Sequence, residues 1–483
     1  MQTSTTAERK LSMLNSNLFP IFYRVAFVLF LFPLIGEAQV ITPDDFWQRV
    51  KVNHPISRQA ALLLEQGAQE LLYARGGFDP KLSAEQDQKV FGGSDYYSYG
   101  QGGIKIPTAW GVALKAEYDW TDPNGLYYNP DRRVPEGGQA VLGIELPLLR
   151  GLLFDEARSD WRQAQVGQDR YRAIADELRN ALFMDANKAY WDWSYAYHSR
   201  EIAIEARTYS DERLTGIRES FRAGDNPAID TLEAFLQWQS WDLEVQEANL
   251  QLNHAVAKIQ ALFWEQDGRP VNWQDSWVPQ HPEFLERQPE LATLQQQVLD
   301  HPSLRAYRLQ QQQLSIERRW KVEQYKPELT LNYNFLADRL DFNPEGEGGL
   351  DNLLTNNYKW GFTFSAPLLL RKERAGVALT DIKIAQTDWK QQQKQQELTT
   401  KLTAYWQEWE NRSRQLVLSQ SVVENYRTLM DAERVKFRLG ESSVFLLNSR
   451  QQKLLASQLK LLKTQAELQK AVVALWYTAG QIW

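Results

Sequence analysis

The chain has no cysteine among its 483 residues. That absence excludes a disulfide framework, a thiolate metal site and a lipid-modified N-terminal Cys. Histidine is scarce too, and His54, His198, His254, His281 and His301 make no HExxH or similar ligand spacing. Positive charge is not in excess: a net charge of −7 argues against a general nucleic-acid binder, which would present a basic face. Past residue 38 no apolar run reaches the roughly 20 residues of a membrane-spanning helix. Gly100-Gln101-Gly102-Gly103 lacks the Lys and following helix of a phosphate loop, and the many Ser and Asp residues build no nucleophile elbow. Nothing here points to an enzyme, and no cofactor or metal site is implied.

Aromatic residues, by contrast, are abundant, with 18 Trp, 20 Tyr and 20 Phe. At the N-terminus, Lys10 and Arg24 precede the apolar stretch Val25 to Ile35, which Gly36-Glu37-Ala38 follows. A charged region, a short apolar core and a small-x-small site read as an export signal, 1–38, with Met13 an alternative start. An uncleaved membrane anchor is the competing reading. An exported chain without later apolar helices is periplasmic, secreted or a β-barrel.

The sequence then repeats itself. His54-Pro55 answers His301-Pro302 and Pro80-Lys81-Leu82 answers Pro327-Glu328-Leu329, both at an offset of 247. Leu146-Pro147-Leu148-Leu149-Arg150 answers Ala366-Pro367-Leu368-Leu369-Leu370 at 220, and Phe221-Arg222-Ala223-Gly224 answers Phe437-Arg438-Leu439-Gly440 at 216. A duplication with loop-length changes gives this pattern. The drop from 247 to 220 places 27 surplus residues between Pro80 and Pro147. The repeats are read as 39–263 and 290–483, joined by the aperiodic 264–289.

Four segments alternate with period two. Trp110, Val112, Leu114, Ala116, Tyr118 and Trp120 face one way, with Lys115, Glu117 and Asp119 on the other side. Leu142, Ile144 and Leu146 form a second apolar row. Leu329, Leu331, Tyr333 and Phe335 alternate with Thr330, Asn332 and Asn334, and Tyr358, Trp360, Phe362 and Phe364 with Lys359, Gly361, Thr363 and Ser365. The lengths suit tilted strands that cross a bilayer, with Trp110, Tyr118, Trp120, Trp360, Phe362 and Phe364 toward lipid and Lys115, Glu117, Asn332, Lys359 and Thr363 toward a wet lumen. A soluble sandwich also alternates, but four strands are few for one of this length. Four cannot close a barrel either, so several chains must share it. Long Gly-rich connections, Asn124 to Gly138 and Asp341 to Asn357, suit outward-facing loops. The Tyr/Gly-rich stretch Phe91 to Gly103 lengthens the first hairpin without declaring itself strand or loop.

Proline is absent from Leu148 to Asn226 and from Leu368 onward, and both stretches carry helical periodicity, as in Leu178, Leu182, Ala189, Trp193 and in Leu398, Leu402, Tyr405, Trp409. Some 70 residues of helix would reach roughly 100 Å. Gly224 and Gly440 suit left-handed C-caps. Each chain direction then reverses at once, with Asn226 as N-cap before Pro227, and Ser442 or Ser443 capping the second return helix. Shorter helices, Ile56 to Tyr73 and Ser303 to Gln324, lead into the strands, and His54 and His301 mark helix entry.

Taken in this order, the two HP-started helices, the Pro147-Leu148-Leu149-Arg150-Gly151 and Pro367-Leu368-Leu369 segments and the paired tips at Gly224 and Gly440 resemble the TolC-type outer-membrane efflux family over nearly all the mature chain. The resemblance implies a mainly α fold with a β-barrel part: a homotrimer with four transmembrane strands per chain, a 12-stranded barrel in outer-membrane lipid and a 12-helix tunnel through the periplasm. It implies an exit duct whose tips, with Phe221, Arg222, Gly224, Asn226, Phe437, Arg438, Gly440 and Ser442, meet a periplasmic adaptor and, through it, an inner-membrane pump. The duct serves a tripartite efflux or type I secretion system and has no nucleic-acid partner. Relatives place carboxylates six and nine residues after the second-tip glycine, where this chain has Leu446 and Ser449. The matching place in the first tip holds Asp230, read either as part of an entrance constriction or as a solvated helix-start carboxylate. The alternative from another class is a periplasmic coiled-coil scaffold or adaptor that does not insert in the membrane; it has no need of the aromatic strands.

Overall fold

The computed structural model describes residues 39–121, 134–135, 138–282, 289–338 and 357–481. The export-signal reading of 1–38 and most of the two long strand connections lie outside the described residues.

Two helical hairpins of matched length dominate. The first repeat runs β1 (Gln39–Ile41), α1 (Pro43–Asn53), α2 (Pro55–Arg75), β2 (Lys81–Phe91), β3 (Ser94–Pro107), β4 (Ala113–Thr121), β5 (Gln139–Pro147), α3 (Glu156–Ala223) and α4 (Ala228–Leu262). The second runs β6 (Trp277–Pro279), α5 (Leu291–Val298), α6 (Pro302–Glu323), β7 (Glu328–Ala337), β8 (Tyr358–Ser365), α7 (Arg371–Arg438) and α8 (Val444–Ala479). Both α3 and α7 have 68 residues, so each extends for about 100 Å at 1.5 Å per residue. The duplication is thus visible in length as well as in motif.

Helix entry follows the reading of the two His-Pro pairs. His54 Nδ1 accepts from the Ile56 amide and His301 Nδ1 from the Ser303 amide, each at 3.2 Å, while the proline fills the first helical position. The short helices α1 and α5, which periodicity over so few residues did not announce, stand one repeat apart before these caps.

Among the described residues the sheet holds six strands, in the order β2-β3-β4-β5-β7-β8, every neighbouring pair antiparallel. Four were expected. The start of β2 corresponds to that of β7 and the end of β5 to that of β8, so the 27 surplus residues of the first repeat supply one additional hairpin. Phe91 to Gly103 belongs to it, at the β2–β3 turn and in β3. Glycine serves close approach in β3: a Cβ on Gly100 would lie 2.0 Å from the Trp120 ring, and one on Gly103 would lie 2.6 Å from Glu117 Cγ. Trp120 covers the bare backbone and donates from Nε1 to Gln86 at 3.2 Å. Trp110 requires a correction. It lies in the turn between β3 and β4, 84% exposed, and is not a strand residue. That turn closes with Thr108 N–H donating to Val112 O at 3.1 Å and with Gly111 at φ 88°, so the strand begins three residues after Trp110.

Many aromatic residues serve a different purpose from the one the strands suggested. Phe46, Trp47, Tyr190, Trp193, Phe263 and Trp277 form one buried core where α1 and the inter-repeat segment dock on the middle of α3. β1 pairs in parallel with β6, and the Tyr190 hydroxyl donates to Ile41 O at 2.6 Å while it accepts from Gln280 N–H at 3.0 Å. Segment 264–289, where described, therefore docks on the first repeat.

Candidate functional site

The residues singled out in the sequence fall in two regions: the sheet, and the helical tips at the far end of the long hairpins.

In the sheet, register sorts residues onto two faces. Lys115 stands opposite Lys105 and Gly143, Gly143 opposite Asn334, and Asn334 opposite Lys359. Residues directly opposite share a face, so this row is polar across five strands. Glu85, Gln101, Glu117 and Asp119 belong to the same face, and together with Lys115, Asn334 and Lys359 they line a single hollow. The sheet therefore curls around its polar side. Asn332 and Thr363 share this face through Glu145, Thr330 and Gly361. The convex face carries Ile104, Leu114, Ala116, Tyr118, Leu142, Ile144, Tyr333, Phe335, Trp360, Phe362 and Phe364. Trp360, Phe362 and Phe364 expose 58–66% of their surface, an apolar area that water does not favour.

Charge pairs brace the segment that leads from β5 into α3. Arg150, three residues past β5, bridges Glu328 at the start of β7 at 2.9 Å, and its amide donates to Pro327 O at 3.2 Å. Arg158, in the first turn of α3, is buried; it bridges Asp155 at 2.9 Å and donates to Leu152 O at 3.0 Å. The segment from Pro147 to Asp155 is thus held at one end to β7 and at the other to the first turn of α3.

At the tips the two repeats use one geometry. Gly224 N–H donates to Phe221 O and Asp225 N–H to Ser220 O, each at 3.0 Å; Gly440 N–H donates to Phe437 O at 3.1 Å and Glu441 N–H to Lys436 O at 2.9 Å. Both glycines are left-handed, at φ 87° and 77°. The return helices begin differently. α4 is preceded by Pro227 without a side-chain cap, so Asn226 is not its N-cap, whereas Ser443 Oγ accepts from the Leu446 amide at 3.3 Å. Of the two serines, Ser443 is the cap and Ser442 has another partner.

That partner was not foreseen. Ser442 Oγ donates to Glu433 Oε1 at 2.5 Å, and Arg450 Nε approaches Glu433 Oε2 at 3.5 Å. The Ser442 hydrogen bond and Arg450 hold the Glu433 carboxyl below the usual carboxylate range. Arg213 of α3 donates to the side-chain carbonyls of Asn448 and Gln451 on α8, which links the two hairpins. Burial, with Arg434 nearby, lowers its pKa to about 10, so it remains charged. Leu214, Ile217, Ala234, Phe235, Val444 and Phe437 pack as one small core. Phe437 is therefore a packing residue, while Phe221 is 45% exposed. Asp230 lies in the first turn of α4, where the helix dipole favours a carboxylate, and Leu446 and Ser449 lie in the first two turns of α8. Among the described residues, no cluster of three His, Cys, Asp or Glu side chains could hold a metal ion.

No protein-family model matches the chain, and no curated protein does. Solved structures do. The CmeC outer membrane channel of Campylobacter jejuni is 14% identical, with 91% of this chain and 85% of that one covered at a TM-score of 0.62. The MtrE outer membrane channel of Neisseria gonorrhoeae, in its open state, is 14% identical over 91% and 88% at 0.63. The outer membrane protein VceC of Vibrio cholerae is 12% identical over 91% and 96% at 0.61. At these identities the likeness is one of fold: this chain has the architecture of those proteins over nearly its whole described length.

Proposed function

We propose that the chain is the outer-membrane exit duct of a tripartite efflux or type I secretion system, a homotrimer that makes and breaks no bond. The observation that carries this reading is the junction of a sheet with a polar concave side and an aromatic convex side to helices of about 100 Å. A lipid-facing exterior around a wet lumen needs the first, and a crossing of the periplasm needs the second. On this reading Tyr118, Trp120, Trp360, Phe362 and Phe364 meet lipid, and Lys115, Glu117, Asn332, Lys359 and Thr363 line the lumen. The two repeats, 39–263 and 290–483, supply equivalent parts of the wall around the linker 264–289.

Copies of the chain are called for by α4. Ile229, Leu236, Leu243 and Leu250 recur every seven residues and are 50–71% exposed, the seam of a coiled coil without its partner helix. A second copy supplies that helix. The tips, farthest from the sheet, are where a periplasmic adaptor joins and links the duct to an inner-membrane pump. Phe221, Arg222, Arg438 and Gly440 are exposed there. Fractionation tests the proposal: a heat-modifiable trimer in the outer-membrane fraction is expected, and a soluble periplasmic protein would overturn it in favour of a scaffold.

A further inference from the structure

The two outer strands of the sheet, β2 and β8, are exposed along nearly their whole lengths, while those between them are half-buried. In lipid such edges cannot stay open, because no water satisfies their N–H and C=O groups. The six strands alternate in direction, so β8 of one copy runs antiparallel to β2 of the next.

The internal repeat fixes how they would meet. Within one chain the two repeats join where β5 pairs with β7, and β8 and β2 are the repeat equivalents of those two strands. The β5–β7 register sets Glu145 opposite Asn332. Moving 220 residues forward on one strand and 247 back on the other sets Ser365 opposite Glu85. Pleat agrees: Ser365 and Glu85 both fall on the polar face, and Phe364 and Phe362 come opposite Gln86 and Gln88 on the other.

Resting on the trimeric duct reading, we infer that three copies close an eighteen-stranded barrel through β8–β2 pairing in this register, six strands from each copy. Barrel diameter grows roughly linearly with strand number, so this ring is about half as wide again as one built from four strands per chain. The helical part gains nothing from the added hairpin, with four long helices among the described residues of each chain. The barrel is then wider than the tube beneath it, and the helices set the size of what passes.

Because the chain has no cysteine, introduced pairs report without background. In isolated outer membranes, oxidised Ser365→Cys/Glu85→Cys protein should run as covalent dimers and trimers on non-reducing gels, with each single variant remaining monomeric. Asp119 occupies the same polar row two strands further in. A ladder from Ser365→Cys/Asp119→Cys instead would mean that the β2–β3 hairpin stands aside from a twelve-stranded wall, and would overturn the inference. So would a trimer in which neither pair links while the intrachain control Glu145→Cys/Asn332→Cys does. Protein missing from the outer membrane altogether would refute the duct reading itself, a distinct result. End-on electron-microscopy averages of the wild-type trimer give a second reading: a ring of eighteen strands supports the inference and a ring of twelve defeats it.

Discussion

His301 shows how a single side chain binds the fold to pH. It is 1% exposed, its Nδ1 accepts from the Ser303 amide, and Nε2 lies 3.3 Å from the Asn180 amide nitrogen. Burial, aided by the charge on Lys394, lowers its pKa from 6.5 to about 4. The folded state therefore prefers neutral imidazole, and the unfolded chain binds the extra proton between these values. Stability from this residue is full above pH 6.5 and is lost as pH falls toward 4. At about 1.4 kcal/mol per unit, the loss is on the order of 3 kcal/mol. His301→Asn keeps a capping side chain and should flatten this part of the profile; thermal unfolding of the solubilised protein from pH 7 to 4 checks it, and an unchanged slope would refute the assignment. Residue-scale features differ in how legible they were. A His before a Pro at repeat-equivalent places announces helix entry, because cap and proline are neighbours in sequence. Glu433, Ser442 and Arg450 are 9 and 17 residues apart across a turn, and only the folded tip brings them together.

Among elements, legibility followed the contrast between faces. β8 was readable because Trp360, Phe362 and Phe364 alternate with Lys359, Thr363 and Ser365. β2 was not, since Ser83, Glu85 and Asp87 alternate with Ala84, Gln86 and Gln88, and period two has no signal when both faces are polar. β3 was hidden by its glycines, which weaken strand propensity but here make room for Trp120 and Glu117. The same contrast yields a prediction. Arg at Phe362 should cost about 2–4 kcal/mol of barrel stability if the position lies near mid-bilayer, and Arg at Thr363 much less. Urea titrations of the protein folded into lipid vesicles compare the two, and a larger cost at Thr363 would invert the faces. The exposed seam of α4 gives another: Leu236→Asp and Leu243→Asp each place a charge at a coiled-coil core position and should shift the protein from trimer to monomer in detergent. Because these side chains are uncovered within the chain, helical content should stay the same by circular dichroism, which separates lost assembly from lost folding.

For the whole molecule, the repeat made the architecture readable, since two equivalent halves constrain each other, but it could not reveal the contacts made at the tips. A ring of carboxylates would bind divalent cations and let them block the passage, yet Leu446 and Ser449 stand where the resemblance places such a ring. What the structure offers instead is contact within and between hairpins: Glu433 held by Ser442 and Arg450 inside the second hairpin, and Arg213 joined to Asn448 and Gln451 and the small core around Phe437 and Val444 between the two. Closure by packing and hydrogen bonds predicts a definite conductance pattern in planar bilayers. Wild-type protein should be a low-conductance pore that divalent cations do not block through positions 446 and 449. Glu433→Gln removes the charge that Arg450 and Ser442 share, and Arg213→Ala removes the link from α3 to α8; each should raise conductance several-fold, and the pair should exceed either alone, because the two contacts lie on different hairpin joints. Asp230→Asn should change little, as befits a helix-start carboxylate in the field of α4. Strong divalent block that vanished with Asp230→Asn would instead place the constriction at the first tip, and the Glu433 and Arg213 contacts would then be braces of the tunnel wall without a part in its opening.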